Sequence, residues 1–192
     1  MRSVLAVSGD VRSPSRTRGL VAALAGTVAA RLGSTARVLD VGSEGLPLLV
    51  APTRAQLSGA GRELVAEIES ADVLVVGTPA ARTSYRGAFR HLLDLVHPRS
   101  LAGTPVPLAF TGGNPLDGLV AEHRLRSLGG PSAALILPTA VHASADDFVG
   151  YTVASRAVLE RIERAADEAA ALLDVAREWR ARAAAVPVAA VA

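Results

Sequence analysis

Apolar residues recur along the chain in two alternating rhythms. Residues 3–8 (SVLAVS) form a short apolar run that ends in Ser, Gly and Asp, the pattern of a buried strand that stops at a loop. A Ser- and Pro-rich stretch follows. From 15 to 32, Leu20, Leu24, Val28 and Leu32 recur at spacing four, which lays one apolar stripe along a helix. The cycle then repeats. A strand is expected at 36–41 (ARVLDV), a long Gly-, Pro- and Ser-punctuated loop at 42–58, and a helix near 60–70. Residues 72–78 (DVLVVGT) are almost wholly apolar, as a central strand covered on both faces must be.

The third unit has a loop from Pro79 to Arg86, a helix over 87–96 and a strand over 105–111 (PVPLAFT), with Gly112 and Gly113 behind it. A helix over 115–128, a closing strand at 133–140 (AALILPTA) and a polar loop at 142–150 come next. The last helix spans 152–182, with Val158, Ile162, Ala166, Ala169, Leu173 and Ala176 on its apolar stripe. Arg177, Arg180 and Arg182 suit its negative C-terminal end. Five strands alternating with five helices predict one α/β domain over 1–182, a doubly wound five-stranded parallel sheet with helices on both faces. Its strand order is expected to be 2-1-3-4-5. Ligands of such sheets lie beyond the carboxyl ends of the strands, here between strands 1 and 3. Residues 183–192 are expected to fray or to pack on a neighbouring subunit.

Composition narrows the chemistry. The chain has 192 residues, 50% of them hydrophobic but only 3% aromatic, so its core is built from Ala, Val and Leu and it has few rings to stack on a ligand. All 20 basic side chains are Arg, set against 18 carboxylates. The arginines are scattered, without a basic run or interleaved aromatics, which argues against a nucleic-acid partner. With no Cys there is no thiolate nucleophile or iron–sulfur cluster, and His91, His97, His123 and His142 lack metal-ligand spacing. Redox chemistry therefore requires a borrowed cofactor. No signal pattern precedes the first strand and no apolar run reaches the roughly 20 residues of a membrane helix, so a soluble cytoplasmic protein is expected.

Three loops emerge at the carboxyl edge. The first, 8–17 (SGDVRSPSRT), gathers hydroxyls and arginines where a helix begins, and a helix N-terminus offers free N–H groups and a positive dipole end. Without G-x-G-x-x-G or Gly-Lys-Ser/Thr it matches neither a dinucleotide fingerprint nor an NTPase loop. A monophosphate held by Ser8, Arg12, Ser15 and Thr17 is the natural fit. Ser13 or Ser15 acting only as a helix cap is the competing reading, against which stands the loop's place at the end of strand 1. Arg16 is equally able to point away. The second loop, 77–88 (GTPAARTSYRGA), begins with a turn fixed by Pro79, whose backbone groups suit a flat heterocycle. Tyr85 supports that loop either as ligand contact or as packing. The third, 111–114 (TGGN), lets backbone approach a ring with no Cβ in the way, although glycine after a strand is also ordinary turn chemistry.

Together, SGDVRSPSRT at 8–17, ADVLVVGTPAARTSYRGAFRHLLDLV at 71–96, LAGTPVPLAFTGG at 101–113 and ADDF at 145–148 closely resemble the NAD(P)H-dependent FMN reductases that serve two-component alkanesulfonate-type monooxygenases. The resemblance spans most of the chain and implies a flavodoxin-like fold. It implies a phosphate site at Ser8, Arg12, Ser15 and Thr17, with Pro79, Ala80, Ala81, Arg82 and Tyr85 along the isoalloxazine and Thr111, Gly112 and Gly113 on the ring's other side. Many members carry an aromatic residue where this chain has Ala81, which implies looser stacking of the flavin. The family also pairs subunits with FMN near the interface, implying a homodimer or homotetramer, and the helix at 115–128 resembles its oligomer-contact helix. On that helix His123 is read as a solvent or interface residue, with a place near the flavin as the alternative.

The implied reaction is hydride transfer from NADH or NADPH to flavin N5, with reduced FMN released to a flavin-dependent monooxygenase. That chemistry resides in the cofactors, so no catalytic acid or base is nominated and no metal is expected. The rivals are an enzyme that keeps FMN bound and reduces quinones or azo dyes, and a flavodoxin-type electron carrier with no enzymatic activity.

Overall fold

The computed structural model describes residues 2–80, 87–97 and 99–185. Its centre is a five-stranded parallel sheet of β1 (Val4–Ser8), β2 (Ala36–Asp40), β3 (Val73–Pro79), β4 (Leu108–Thr111) and β5 (Val141–Ala143) in the order 2-1-3-4-5. Val4 pairs with Ala36 on one side and with Val73 on the other. The near-continuous apolar strands follow from burial on both faces. Val4, Ala6, Val73 and Val75 point to one helix layer, and Leu5, Val7, Leu74 and Val76 point to the opposite one.

Helices α1 (Arg16–Leu32) and α5 (Arg156–Ala185) form the first layer. The stripe Leu20, Leu24, Val28 and Leu32 is buried there, as are Val158, Ile162, Ala166, Ala169, Leu173 and Ala176. Helices α2 (Gly59–Ser70), α3 (Gly87–Leu95) and α4 (Pro115–Ser132) cover the other face, with Val65, Ile68, Phe89, Leu92 and Leu125 in its core. Among the described residues no helix is long and apolar enough to cross a membrane.

Three segments differ from the expected pattern. The run 133–140 is not the fifth strand of the sheet: Leu135–Ile136 pairs instead with Pro105–Val106 in a separate two-stranded ladder, and β5 begins only at Val141. Pro107 and Pro138 lie at the two breaks and lack the N–H that a continuous ladder needs. The span 42–58 carries helical turns at Val41–Glu44 and Leu46–Leu49 and a 3₁₀ turn at Arg54–Gln56. Buried Leu48 and Leu57 pin this span, and His91 Nε2 lies 2.8 Å from the Ala51 carbonyl. The polar stretch 142–150 includes most of β5, a 3₁₀ turn at Ala145–Asp147 and Phe148–Val149, which forms a hairpin with Thr152–Val153, so α5 starts later than 152.

Candidate flavin site

A cavity of about 630 Å³ opens at the carboxyl ends of β1, β3 and β4, within the usual range of small-molecule sites. Four loops wall it. The first runs from β1 into α1. Asp10 is buried there and Arg12 is tied to it: Asp10 Oδ1 accepts from the Arg12 backbone N–H at 3.1 Å, and Oδ2 accepts from Nη2 at 3.0 Å. The hydrogen bond and the charge of Asp10 raise the Arg12 pKa above its ordinary value. Ser15 is buried in the wall, and its Oγ accepts the Arg18 N–H at 3.1 Å as the N-cap of α1. It is therefore a cap and a cavity residue together, and its hydroxyl proton stays available to a ligand. The Arg16 and Thr17 N–H groups of the first helical turn lack intrahelical acceptors, and the Ser15 cap accepts from Arg18 instead.

The second and third walls are the ends of β3 and β4. Thr17 Oγ1 and Thr111 Oγ1 lie 2.6 Å apart, joining the first loop to the third. Ala80 donates its N–H to the Thr111 carbonyl at 2.9 Å, and Gly112 donates to the Ala143 carbonyl at 3.1 Å. A Cβ on Gly112 would stand 3.3 Å from the Ala80 Cβ, so glycine keeps this side flat. The fourth wall is Ser144, Ala145, Gly150 and Tyr151. It is seated by a close approach: a Cβ on Gly19 of α1 would lie 1.8 Å from the Tyr151 carbonyl oxygen.

Of the residues singled out from the sequence, Arg12, Ser15, Thr17, Pro79, Ala80, Thr111, Gly112 and Gly113 come together in this one cavity. Ser8 does not line it; the residue is fully buried at the end of β1 and its Oγ has no partner among the described residues. Ala81, Arg82 and Tyr85 lie outside the described residues. His123 is exposed on α4 and is not a lining residue. Asp10, Arg16 and the 144–151 wall were not assigned from the sequence. The available signals were the carboxylate inside the Ser/Arg loop and the Val-Gly-Tyr hairpin tip, where Gly150 has φ 63.

Near the flat side, His142 is half-buried, and its Nε2 has no partner among the described residues. Burial pushes its pKa below the ordinary value; Arg161 acts in the same direction and Asp147 opposes it. Among the described residues no His, Cys, Asp or Glu group is arranged to hold a metal ion. The donor set instead fits a phosphorylated flavin. Hydroxyls, arginines and the start of α1 suit a phosphate, and Pro79, Ala80, Gly112 and Gly113 are small enough to leave room for a planar ring.

A family model described as NADPH-dependent FMN reductase matches residues 2–147. The chain is 40% identical over 169 residues to an FMN reductase (NADPH) of Pseudomonas aeruginosa, covering 88% of this chain and 91% of that protein. It is also 40% identical over 177 residues to the NADH-dependent FMN reductase SfnF of Pseudomonas putida, covering 90% and 93%. Among solved structures, an apo NADH:FMN oxidoreductase superposes with a TM-score of 0.77 at 26% identity over 89% of each chain. A WrbA-like flavodoxin from Agrobacterium tumefaciens superposes at 0.60 with 18% identity, covering 92% and 98%, and it shares the flavodoxin-like fold.

Proposed function

We propose that this chain, which belongs to the NADPH-dependent FMN reductase family and uses FMN and NAD(P)H, takes FMN as a passing substrate and yields reduced FMN to a partner flavin-dependent monooxygenase. The observation that carries the reading is the cavity's lining, which joins hydroxyls, arginines and the start of α1 to a wall of small residues. The Thr17–Thr111 contact ties the loop proposed to hold the phosphate to the end of β4. When bound, the flavin supplies the hydride acceptor for the nicotinamide.

The chain's own residues bind and orient. Arg12, the Ser15 hydroxyl and the first N–H groups of α1 would hold the phosphate. Pro79, Ala80, Gly112 and Gly113 would leave a ring face open for a stacked nicotinamide, which favours the reaction by proximity and orientation. Loose retention is supported by the wall's composition: among the described lining residues Tyr151 is the one aromatic. Work as a homodimer or homotetramer is supported by Leu116 and Leu119, exposed at 68% and 63% on α4. We assign the enzyme to the cytoplasm, where NADH and NADPH are both supplied.

The test is the spectrum and steady-state kinetics of the purified protein. The expected result is a colourless protein that oxidises NADH or NADPH with saturable dependence on added FMN, and that supports a monooxygenase with reduced flavin. A yellow protein whose turnover ignores added FMN and requires a quinone or azo acceptor would replace this reading with the bound-cofactor one. A flavin that NAD(P)H does not bleach would indicate an electron carrier.

A further inference from the structure

Asp10 is the one carboxylate among the described residues that line the cavity, and it sits where an anionic ligand needs positive charge. Its side chain is 2% exposed. Both oxygens are occupied by a single residue: Oδ1 accepts from Arg12 N–H at 3.1 Å and Nε–H at 3.2 Å, and Oδ2 accepts from Nη2–H at 3.0 Å. The Nε–Nη2 edge of a guanidinium is one of the forks that grip a phosphate with two parallel hydrogen bonds. Here that edge is turned onto Asp10, and the end-on Nη1–Nη2 side, the side chain's other fork, is left for a ligand.

We propose that Asp10 sets flavin affinity, weakening the cradle's hold on the FMN phosphate and so easing release of the reduced flavin. The proposal rests on the reading that the cradle takes the phosphate of FMN. Two effects run in the same direction. Asp10 competes for the Arg12 fork, and its buried charge opposes the incoming dianion without the solvent screening that an exposed carboxylate receives. The net charge of the Asp10–Arg12 pair is close to zero, so among the described lining residues attraction is left to Arg16 and to the N-terminal end of α1. A carboxylate that merely positioned Arg12 for the phosphate would have the opposite effect on affinity, which makes the sign decisive.

Asp10→Asn keeps the size of the side chain and an acceptor oxygen for Arg12 while removing the charge. Flavin-free protein is titrated with FMN and with riboflavin at low ionic strength, and binding is read from quenching of flavin fluorescence. The expected result is FMN binding about tenfold tighter than in the wild type, with riboflavin binding unchanged because it carries no phosphate. Asp10→Ser, which also removes the charge, is expected to shift FMN in the same direction, and circular dichroism reports the fold of both variants. Unchanged or weaker FMN binding in the folded variants overturns the proposal, the weaker case showing that Asp10 holds Arg12 in place. Equal shifts for both flavins also overturn it. If the wild type itself binds riboflavin as tightly as FMN, the phosphate reading fails and takes the proposal with it, a result visible before any variant is made.

Discussion

Two glycines of α1 respond to the same substitution in opposite directions. Alanine is the better helix former by about 1 kcal/mol per site, so propensity alone predicts that Gly19→Ala and Gly26→Ala both stabilise. At Gly26 nothing lies within 4 Å of the added Cβ, and that gain is free. At Gly19 the Cβ would come 1.8 Å from the Tyr151 oxygen and 3.0 Å from its carbonyl carbon, both backbone atoms and far inside the 3.4 Å at which ordinary contact begins. Helix α1 does not yield, because Leu20, Val21 and Leu24 are fully buried beside this position. The hairpin that carries Val149 and Tyr151, exposed at 75% and 52%, must move. Overpacking of this kind costs about 1–3 kcal/mol, which cancels or exceeds the propensity gain, and it withdraws Tyr151 from the cavity wall. The expected outcome is a Tm raised by a few degrees in Gly26→Ala with FMN affinity intact, and a lowered Tm with weaker FMN binding in Gly19→Ala. Differential scanning calorimetry and fluorescence titration read both. A Gly19→Ala protein that melts above the wild type and binds FMN normally would refute the seating of the fourth wall.

Ser15→Ala removes the Oγ that accepts the Arg18 N–H and is expected to cost about 1 kcal/mol of stability, together with much of the preference for FMN over riboflavin. Ser15→Thr is expected to restore both, and an unaltered melting curve for Ser15→Ala would show that the cap is not needed. Thr17→Val and Thr111→Val each break the 2.6 Å hydroxyl contact; a double-mutant cycle is expected to show coupling of about 1 kcal/mol in stability, whereas simple additivity would mean that the loops are fixed independently. His142 has a lowered pKa, so the folded protein favours its neutral form and the unfolded chain takes up the proton first. The stability it contributes is present above the ordinary value of 6.5 and is lost as the pH falls below it. His142→Gln is therefore expected to flatten the decline of Tm with pH in that window, and identical slopes for the two proteins would remove this role.

The sheet was legible because its strands are buried on both faces. Such strands read as unbroken apolar runs, and their order follows from alternation with amphipathic helices. The same rule misled at 133–140, where an apolar run flanks Pro138 and pairs outside the main sheet. The true β5 has His142 between Val141 and Ala143, a pattern too short and too polar to stand out. The hydroxyl loop and the Gly-Gly turn were legible because both depend on position at a strand end, which the alternation supplies. Tyr151 was not, because its place depends on a tertiary contact with Gly19, and a lone glycine in a helix reads as a weakness. Gly42 follows the same logic: a Cβ there would lie 2.8 Å from the Arg12 carbonyl carbon, so the turn at Val41–Glu44 approaches the phosphate loop closely from behind. Asp10 is a third instance, a carboxylate in a loop that otherwise collects cation and hydroxyl donors. Local preference argues against each of these residues, and each lies in or against the cavity wall. Departures from local preference concentrate where function constrains a site, so a helix glycine, a turn glycine and an acid among arginines together mark the same strand-end edge that the alternation of strands and helices identifies.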